Sequence, residues 1–576
     1  MEDRTTALLD QLVRLRKEGR ISRRQFARLT GGGVGLAAIS AFIAACGSEP
    51  SPPPQQGGSG GGQSDGGSSA TEAPSGTPAA GESAATEEAS GEVKRGGRLT
   101  FAIDTAPVGL DPHLATAFSS QMFYEHIYDT LFHFTPDLQV VPSLAESFDV
   151  IDEKTYEFKI RQGVKFHDGS PLTVEDVIFS YERMIDPEVK STRGVWFNQI
   201  DGLEAKDDST LVVYLKNPFA PLIGFMAMPG AAIISKAFTE ANNNDLTAVA
   251  MGTGPFEFKE YITNQQGTFA RFADHWRGNV PLVDELVLQI TTDEASRMAA
   301  IRAQQIDMTR LFDKTNADLL SGEGYQMYKG LCTSYTLTFI NCRREPLNDP
   351  RVRQALSYAI DRQQFLDTAV FGDGEISGVI PAAEKNWALP VSEYASYKQD
   401  IEKAKQLLAE AGYPNGFNVT LTVSPQYQFD VSNAQVLQSQ LKPLGINVEI
   451  QQVEWGNLLN TINQTRDFDL LNIIYTFQPD PDGYTYNFFH SQSLNNASGL
   501  ADARVDELLE RGRAETDQAE RKKIYDEVQK LLADELVPVL AYYCYYQYLP
   551  SQTYVKGYKA IPSLSRIYLR ETWLDK

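Results

Sequence analysis

Residues 144–184 read LAESFDVIDEKTYEFKIRQGVKFHDGSPLTVEDVIFSYERM. Tyr156, Phe158 and Ile160 alternate with Glu157, Lys159 and Arg161. A period of two places the apolar set on one face of a half-buried strand. Gly163 and the run His167-Asp168-Gly169-Ser170-Pro171 end that strand with turn residues. Thr173, followed three residues later by Asp176, opens a helix in the manner of a capping box. Val177, Ile178, Tyr181 and Met184 are its expected buried residues. No nucleophile or metal-ligand partner is spaced beside His167 and Asp168, so the pair is expected to be structural.

Working outward, the folded body begins near Gly96. Residues 97–102 (GRLTFA) read as a first strand, 110–114 as a turn, and Ser119 to Phe134 as a helix-like run ending in strand. Residues 142–290 mix strands, such as 210–215 (TLVVYL) and 285–290 (ELVLQI), with few long helices, and 294–305 is a helix. After Gly330 strands alternate with clear helices. Asp349 caps a helix with Pro350 at its first position. In the next helix Ile401, Ala404, Leu407, Leu408 and Ala411 face the core until Gly412 and Pro414 stop it. Residues 419–423 and 447–453 are strands. In IIYTFQPDPDGYTYNFF (473–489), Ile473 to Phe477 reads as a strand, Pro479 to Gly483 as a turn, and packed aromatics follow. Asp517 and Glu520 open a last long helix, and Pro538 to Tyr548 and Tyr554 to Trp573 are strand-like.

The 576 residues are enough for two or more domains, rich in Phe (29) and Tyr (26). Net charge is −23, and residues 1–46 hold eight Lys/Arg against four Asp/Glu, so the remainder carries −27. So acidic a body repels phosphate backbones and argues against a nucleic-acid partner. Cys332 and Cys342 flank a strand-like run whose ends would lie roughly 30 Å apart, too far for a disulfide. With Cys544 they are expected to be buried free thiols, one bond with one cysteine left over being the alternative.

The N-terminus reads as an address. Ser22-Arg23-Arg24-Gln25-Phe26 resembles a twin-arginine export signal, carried by Arg23 and Arg24. Residues 29–45 are mildly apolar and short for a membrane span. Ile43-Ala44-Ala45-Cys46 resembles a bacterial lipobox, which implies cleavage before Cys46 and lipid on its sulfur; a plain signal peptide or an uncleaved anchor is the alternative. Residues 47–93 are Gly, Ser, Pro, Ala, Thr and Glu, a flexible tether that cannot form a core.

The order LAESF…TYEFKIRQGVKFHDGSPLTVEDV resembles the family 5 solute-binding proteins of ABC importers, the peptide- and nickel-binding family. Gly252-Thr253-Gly254-Pro255-Phe256, DPRVRQALSYAID (349–361) and EKAKQLLAEAGYPNG (402–416) fit the same family in order, and the resemblance covers 96–576. It implies an α/β, bilobed, periplasmic-binding-protein-like (type II) fold with an extra N-terminal-lobe subdomain and two hinge crossovers. The first lobe would span 94–330, the second 331–545, and 546–576 would return to the first. It further implies a monomer on the extracytoplasmic side of the membrane. That monomer delivers a solute to the permease and ATPase of an ABC importer, with no cofactor and no metal.

The resemblance also places the ligand between the lobes, against the strand at Ile473 to Phe477, which pairs with peptide main chain in peptide-binding relatives. Those relatives carry an amine-gripping Asp where this chain has Phe477, so Asp480 and Asp482 are candidate substitutes. Dipeptide binders hold the ligand carboxylate with an Arg in the stretch matching 422–435, whereas 406–441 here contains no Lys or Arg. Thr116 matches a ligand-facing position that is acidic in oligopeptide binders. The aromatic candidates are Phe118, Trp387, Tyr475, Phe477, Tyr484 and Tyr486, which suit peptide side chains or sugar rings. An oligopeptide is the expected ligand and an oligosaccharide or other solute the alternative. Outside that class stand a ligand-presenting sensor and a secreted hydrolase, and no hydrolase motif occurs outside the linker.

Overall fold

Thr173 and Asp176 do form the capping box. The Thr173 Oγ1 accepts from the Asp176 N–H at 3.3 Å, and the Asp176 carboxylate accepts from the Thr173 N–H at 3.0 Å. The helix they open runs Val174–Ile185 and buries Val177, Tyr181 and Met184. These contacts come from a computed structural model that describes residues 92–576. Arg23, Arg24, Cys46 and nearly all of the tether lie outside the described residues.

In the first half, the strands are β1 (Arg98–Ile103), β2 (Phe132–Phe134), β3 (Val140–Pro142), β4 (Ala145–Asp152), β5 (Thr155–Ile160), β6 (Ile200–Asp207) and β7 (Thr210–Leu215). Then come β8 (Phe256–Ile262), β9 (Gln266–Arg271), β10 (Glu285–Ile290), β11 (Met308–Thr309) and β12 (Gln326–Ile340). The remainder holds β13 (Gly374–Ile376), β14 (Asn418–Val423), β15 (Asn447–Gln452), β16 (Leu470–Tyr475) and β17 (Val539–Ser551).

Strands β4-β5-β7-β6 form a separate antiparallel sheet. Tyr156, Phe158 and Ile160 are buried on one of its faces, in one cluster with Val177, Tyr181 and Met184, as the alternation in the quoted stretch requires. The main sheet runs β15-β14-β16-β12-β17-β11-β1-β10-β9-β8, with β13 added to β17. Its two ends belong to different lobes. The first-lobe end packs Leu99, Phe101, Phe123 and Leu288 into one core. The second-lobe end is covered on both faces, by one cluster around Leu337, Phe339 and Tyr525 and another around Leu356, Leu421 and Leu540. Burial on both faces explains why these strands read as near-continuous apolar runs.

Among the described strands only β12 and β17 are long enough to serve both ends. They pair antiparallel from Gln326 opposite Ser551 to Phe339 opposite Val539, with Gly330 opposite Gln547. The register shifts between Leu331 and Tyr335, a bulge that bends the pair where the chain leaves one lobe for the other.

Several local expectations change. Pro479 to Gly483 is not a plain turn, because Pro481–Phe489 is a helix with Asp480 as its N-cap. Proline fits the first helical position, where no intrahelical N–H bond is needed. Tyr554 to Trp573 is not one strand: only Val555–Lys556 and Trp573–Leu574 pair, around a 3₁₀ turn at Ile567–Glu571. Cys332, Cys342 and Cys544 are all free, with Cys342 only half-buried. Burial pushes the Cys332 thiol up to about 12 and the Cys544 thiol up to about 11.

Candidate functional site

Between the two ends of the main sheet lies a cavity of about 770 Å³. Its first-lobe wall includes Thr116, Phe118, Arg193, Trp196 and Arg310, and its second-lobe wall Ser334, Tyr427, Ile474, Thr476, Phe477 and Tyr545. Return-segment residues such as Ser565 and Arg570 close the back.

The lobes touch across this cavity. Phe134 meets Phe477 edge to face with ring centroids 5.2 Å apart. The Ala220 N–H donates to the Arg513 carbonyl at 2.9 Å, and the Asn386 side-chain amide donates to the Asp137 carbonyl at 3.3 Å. Gly224 approaches the Pro479 carbonyl so closely that a Cβ there would sit 2.8 Å from its oxygen. The conformation is therefore closed.

Strand alternation sorts the predicted residues of the second lobe. Ile474 and Thr476 face the cavity. Tyr475 points the other way, into the core against Phe339 and Phe488. Tyr484 is 1 % exposed, accepts from the Gln478 N–H and donates to Glu384 at 3.2 Å. Burial, with that tyrosine's hydrogen bond opposing it, pushes the Glu384 carboxyl up to about 8. Trp387 lies against Tyr525 and under the Arg521 guanidinium, and Tyr486 under that of Arg513. None of Tyr475, Tyr484, Tyr486 or Trp387 lines the cavity.

Asp480 and Asp482 do not offer themselves to a ligand amine. Asp480 receives both Arg521 Nη atoms at 2.9 Å, and Asp482 receives Arg513 Nε and Nη2 at 3.1 and 2.8 Å. Both carboxylates are buried, and neither lines the cavity. Arginine forks saturate the carboxylates' acceptor sites, so the two acids hold the new helix to its neighbours.

The acids and bases that do reach the cavity come from the first lobe. Arg310 pairs with Asp104 at 3.1 Å and lies over the Phe312 ring at 4.3 Å. Burial would raise the Asp104 carboxyl, but the Arg310 charge and hydrogen bond hold it below its ordinary value. Asp129 is likewise held low, the hydrogen bond and charge of His275 and the charge of Arg570 outweighing its burial. Burial raises Glu125, against hydrogen bonds from Ser565 and the Arg566 N–H. Arg193 differs from its neighbours. Its Nη2 donates to the Ala115 carbonyl at 2.9 Å and its plane lies 4.8 Å from the Trp196 ring centroid. No carboxylate pairs with it among the described residues. Carbonyls and an aromatic face fix this cation in place while leaving its charge uncompensated.

Residues 139–496 match the family described as bacterial extracellular solute-binding proteins, family 5 Middle, over more than half of the chain.

The chain belongs to that family.

An oligopeptide-binding protein, AppA, of Bacillus subtilis (strain 168) is 28% identical over 519 residues, 85% of this chain and 94% of that protein. Di/tripeptide-binding protein 2 of Pseudomonas aeruginosa is 29% identical, covering 82% of this chain and 94% of that one. Among solved structures, the Bacillus subtilis AppA complex with a nonapeptide superposes with a TM-score of 0.69 at 26% identity, over 84% of this chain and 100% of that one. The binding protein AgaA in complex with agropinic acid superposes at 0.68 and 29% identity, over 83% of this chain and 99% of that one.

In this family 5 protein the absence of cations from 406–441 does not leave the cleft without them. Arg193 and Arg310 supply positive charge from the opposite wall. Sequence reasoning missed both, and Arg310 stands in no stretch with a recognisable spacing. The Arg-x-x-Trp spacing of Arg193 and Trp196 was the one available cue.

Proposed function

We propose that this chain binds an oligopeptide in the cleft and hands it to an ABC importer. The observation that carries the reading is a free strand edge. β16 pairs with β12 along its whole length, but with β14 only at Leu470 and Leu471. Beyond Leu471 its second edge has no strand partner among the described residues, and Ile474, Thr476 and Phe477 line the cavity there. An extended peptide satisfies such an edge with main-chain hydrogen bonds, whatever its side chains. Peptide-named relatives covering more than 90% of their own length support the same reading. They are named for binding rather than for a reaction, which supports a binding protein over an enzyme.

Around this core stand the finer features read from the sequence. The chain is exported through Arg23 and Arg24, lipidated at Cys46, and works as a monomer tethered to the outer side of the membrane by residues 47–93. The division into a first lobe at 94–330, a second at 331–545 and a return segment at 546–576 belongs to the same proposal.

A second reading, a compact anionic solute, is favoured by Arg193, whose charge is unpaired among the described residues. Native mass spectrometry of protein purified gently from its own host separates the two. Peptide masses retained in the cleft support the first, and a single small acid supports the second.

A further inference from the structure

The second-lobe wall of the cavity is polar behind its surface. On β12 and β16, Thr336 stands opposite Ile474 and Thr338 opposite Asn472. Ile474 lines the cavity. At 3.3–3.4 Å per strand residue, Asn472 and Thr338 lie roughly 7 Å further in. The Asn472 amide donates to the Asp430 carbonyl at 3.0 Å and to its Oδ1 at 3.1 Å, so the acid lies beside Asn472. Asp430 is 1 % exposed, and its Oδ2 accepts no hydrogen bond from a described residue. The buried Thr336 hydroxyl and the Asn433 Nδ2 are without partners, while the Asn433 Oδ1 accepts from the Tyr543 hydroxyl at 3.2 Å. Two buried polar atoms without partners, beside a buried carboxyl, are costly unless something completes them.

Asp430 is the only charged side chain between Ala411 and Leu441. The Asn472 hydrogen bond from β16 opposes its burial, and its charge is felt by Tyr427, the N-cap of the helix Gln428–Leu441, and by Tyr542 and Tyr543 on β17. None of these is a cation. Tyr427 and Ile474 both line the cavity, and Tyr427 lies close enough to feel the Asp430 charge.

We propose that Asp430 is the floor of a subsite for a basic group, a lysine or arginine side chain of the bound peptide entering between Tyr427 and Ile474. This rests on the peptide reading and adds a side-chain preference to it. An extended lysine or arginine side chain reaches roughly 6–7 Å from its Cα, comparable to the two-residue offset along β16 from Ile474 to Asn472. Burial pushes the Asp430 carboxyl up to about 8, so it is protonated in the empty protein at neutral pH. The arriving cation favours the carboxylate, and the displaced proton goes to solvent.

The test is calorimetry at pH 7 in two buffers of different ionisation enthalpy. Neutral hexapeptides are compared with the same peptides carrying one lysine or arginine. The basic peptides are expected to bind at least tenfold more tightly, with release of close to one proton each. Asp430→Asn should bring the ratio of basic to neutral affinities to about one. The proton count is read on the unmodified protein, so it decides even where the variant fails to fold. Equal affinities, or binding without proton release, overturn the subsite while peptide binding stands. If no peptide binds, the peptide reading fails instead. n-Butylguanidinium then decides the subsite: a thermal stabilisation that weakens in Asp430→Asn retains it, and no stabilisation overturns it.

Discussion

Phe134 of the first lobe and Phe477 of the second lie edge to face, ring planes at 89°, and close the cavity from one side. Phe477 stands where peptide-binding relatives are expected to place an amine-gripping acid. The position therefore holds the lobes together by aromatic contact. Such a pair is worth about 0.5–1.5 kcal/mol beyond its buried area. Phe477→Ala should weaken ligand binding roughly 3- to 10-fold by that figure, with little change in the melting temperature of the empty protein. Titration of ligand into wild type and variant, beside a melting curve, checks both halves. An unchanged affinity would mean that the contact does not contribute to closure.

Asp480 and Arg521 form a buried two-pronged pair, with side chains 8 % and 6 % exposed. Removing one partner leaves the other charged and unpaired, which costs about 3–5 kcal/mol. Asp480→Ala should destabilise the protein by that order in urea unfolding, and Asp482→Ala, losing Arg513, by less, because Arg513 is more exposed. Any folded variant should keep its selectivity among peptides, since Arg521 and Arg513 already occupy the two carboxylates.

Arg193 should read an anionic group on the ligand. A hydrogen bond to a charged group is worth about 1.5–3 kcal/mol, so Arg193→Ala should cost roughly 10- to 100-fold in affinity for ligands bearing a carboxylate. C-terminally amidated counterparts should lose little. The comparison of the two ligand forms separates charge recognition from damage to the wall.

Glu384 makes stability depend on pH in a definite direction. Its folded-state carboxyl sits at about 8, above its ordinary 4.5. The folded state thus binds more protons than the unfolded state between those values, and stability falls as pH rises through that window. Above pH 8 the loss is complete and constant. Glu384→Gln keeps an acceptor for the Tyr484 hydroxyl and removes the titration. Relative to wild type it should be more stable at pH 8 than at pH 5, as melting curves at the two values will show.

The hinge is tested by small-angle scattering. Gly330 and Gln547 face each other where β12 and β17 pass between the lobes. Ligand should reduce the radius of gyration with little change in secondary structure, because closure is a rotation about these strands. An unchanged radius at saturation would mean that the pocket is rigid or that the closed form described above is also the form of the empty protein in solution.

The elements carried by strong local signals were legible in the sequence. The capping box at Thr173 and the Asp349-Pro350 helix start both depend on neighbours within a turn. The helix at Pro481 was hidden because Asp-Pro-Asp-Gly also spells a turn. In the folded chain Asp480 caps the helix at the Asp482 N–H and accepts from Arg521, 41 residues away, a partner that no local spacing shows. The site was legible in part: Thr116 and Phe118 on the first-lobe wall and Phe477 on the second reach the cavity, while the strand's pleat turns Tyr475 away. Arg193 and Asp430 were missed because burial and pairing are properties of the folded chain.

The central claim is that the cleft takes peptide main chain along the free edge of β16. Isothermal titration with dipeptides, peptides of four to nine residues and neutral glycans tests it most directly. Affinity should rise with peptide length as the strand from Ile473 to Phe477 is covered, with dipeptides weaker than about 0.1 mM and glycans not binding. Dipeptides binding as tightly as the longer peptides, or glycans binding where no peptide does, would contradict it.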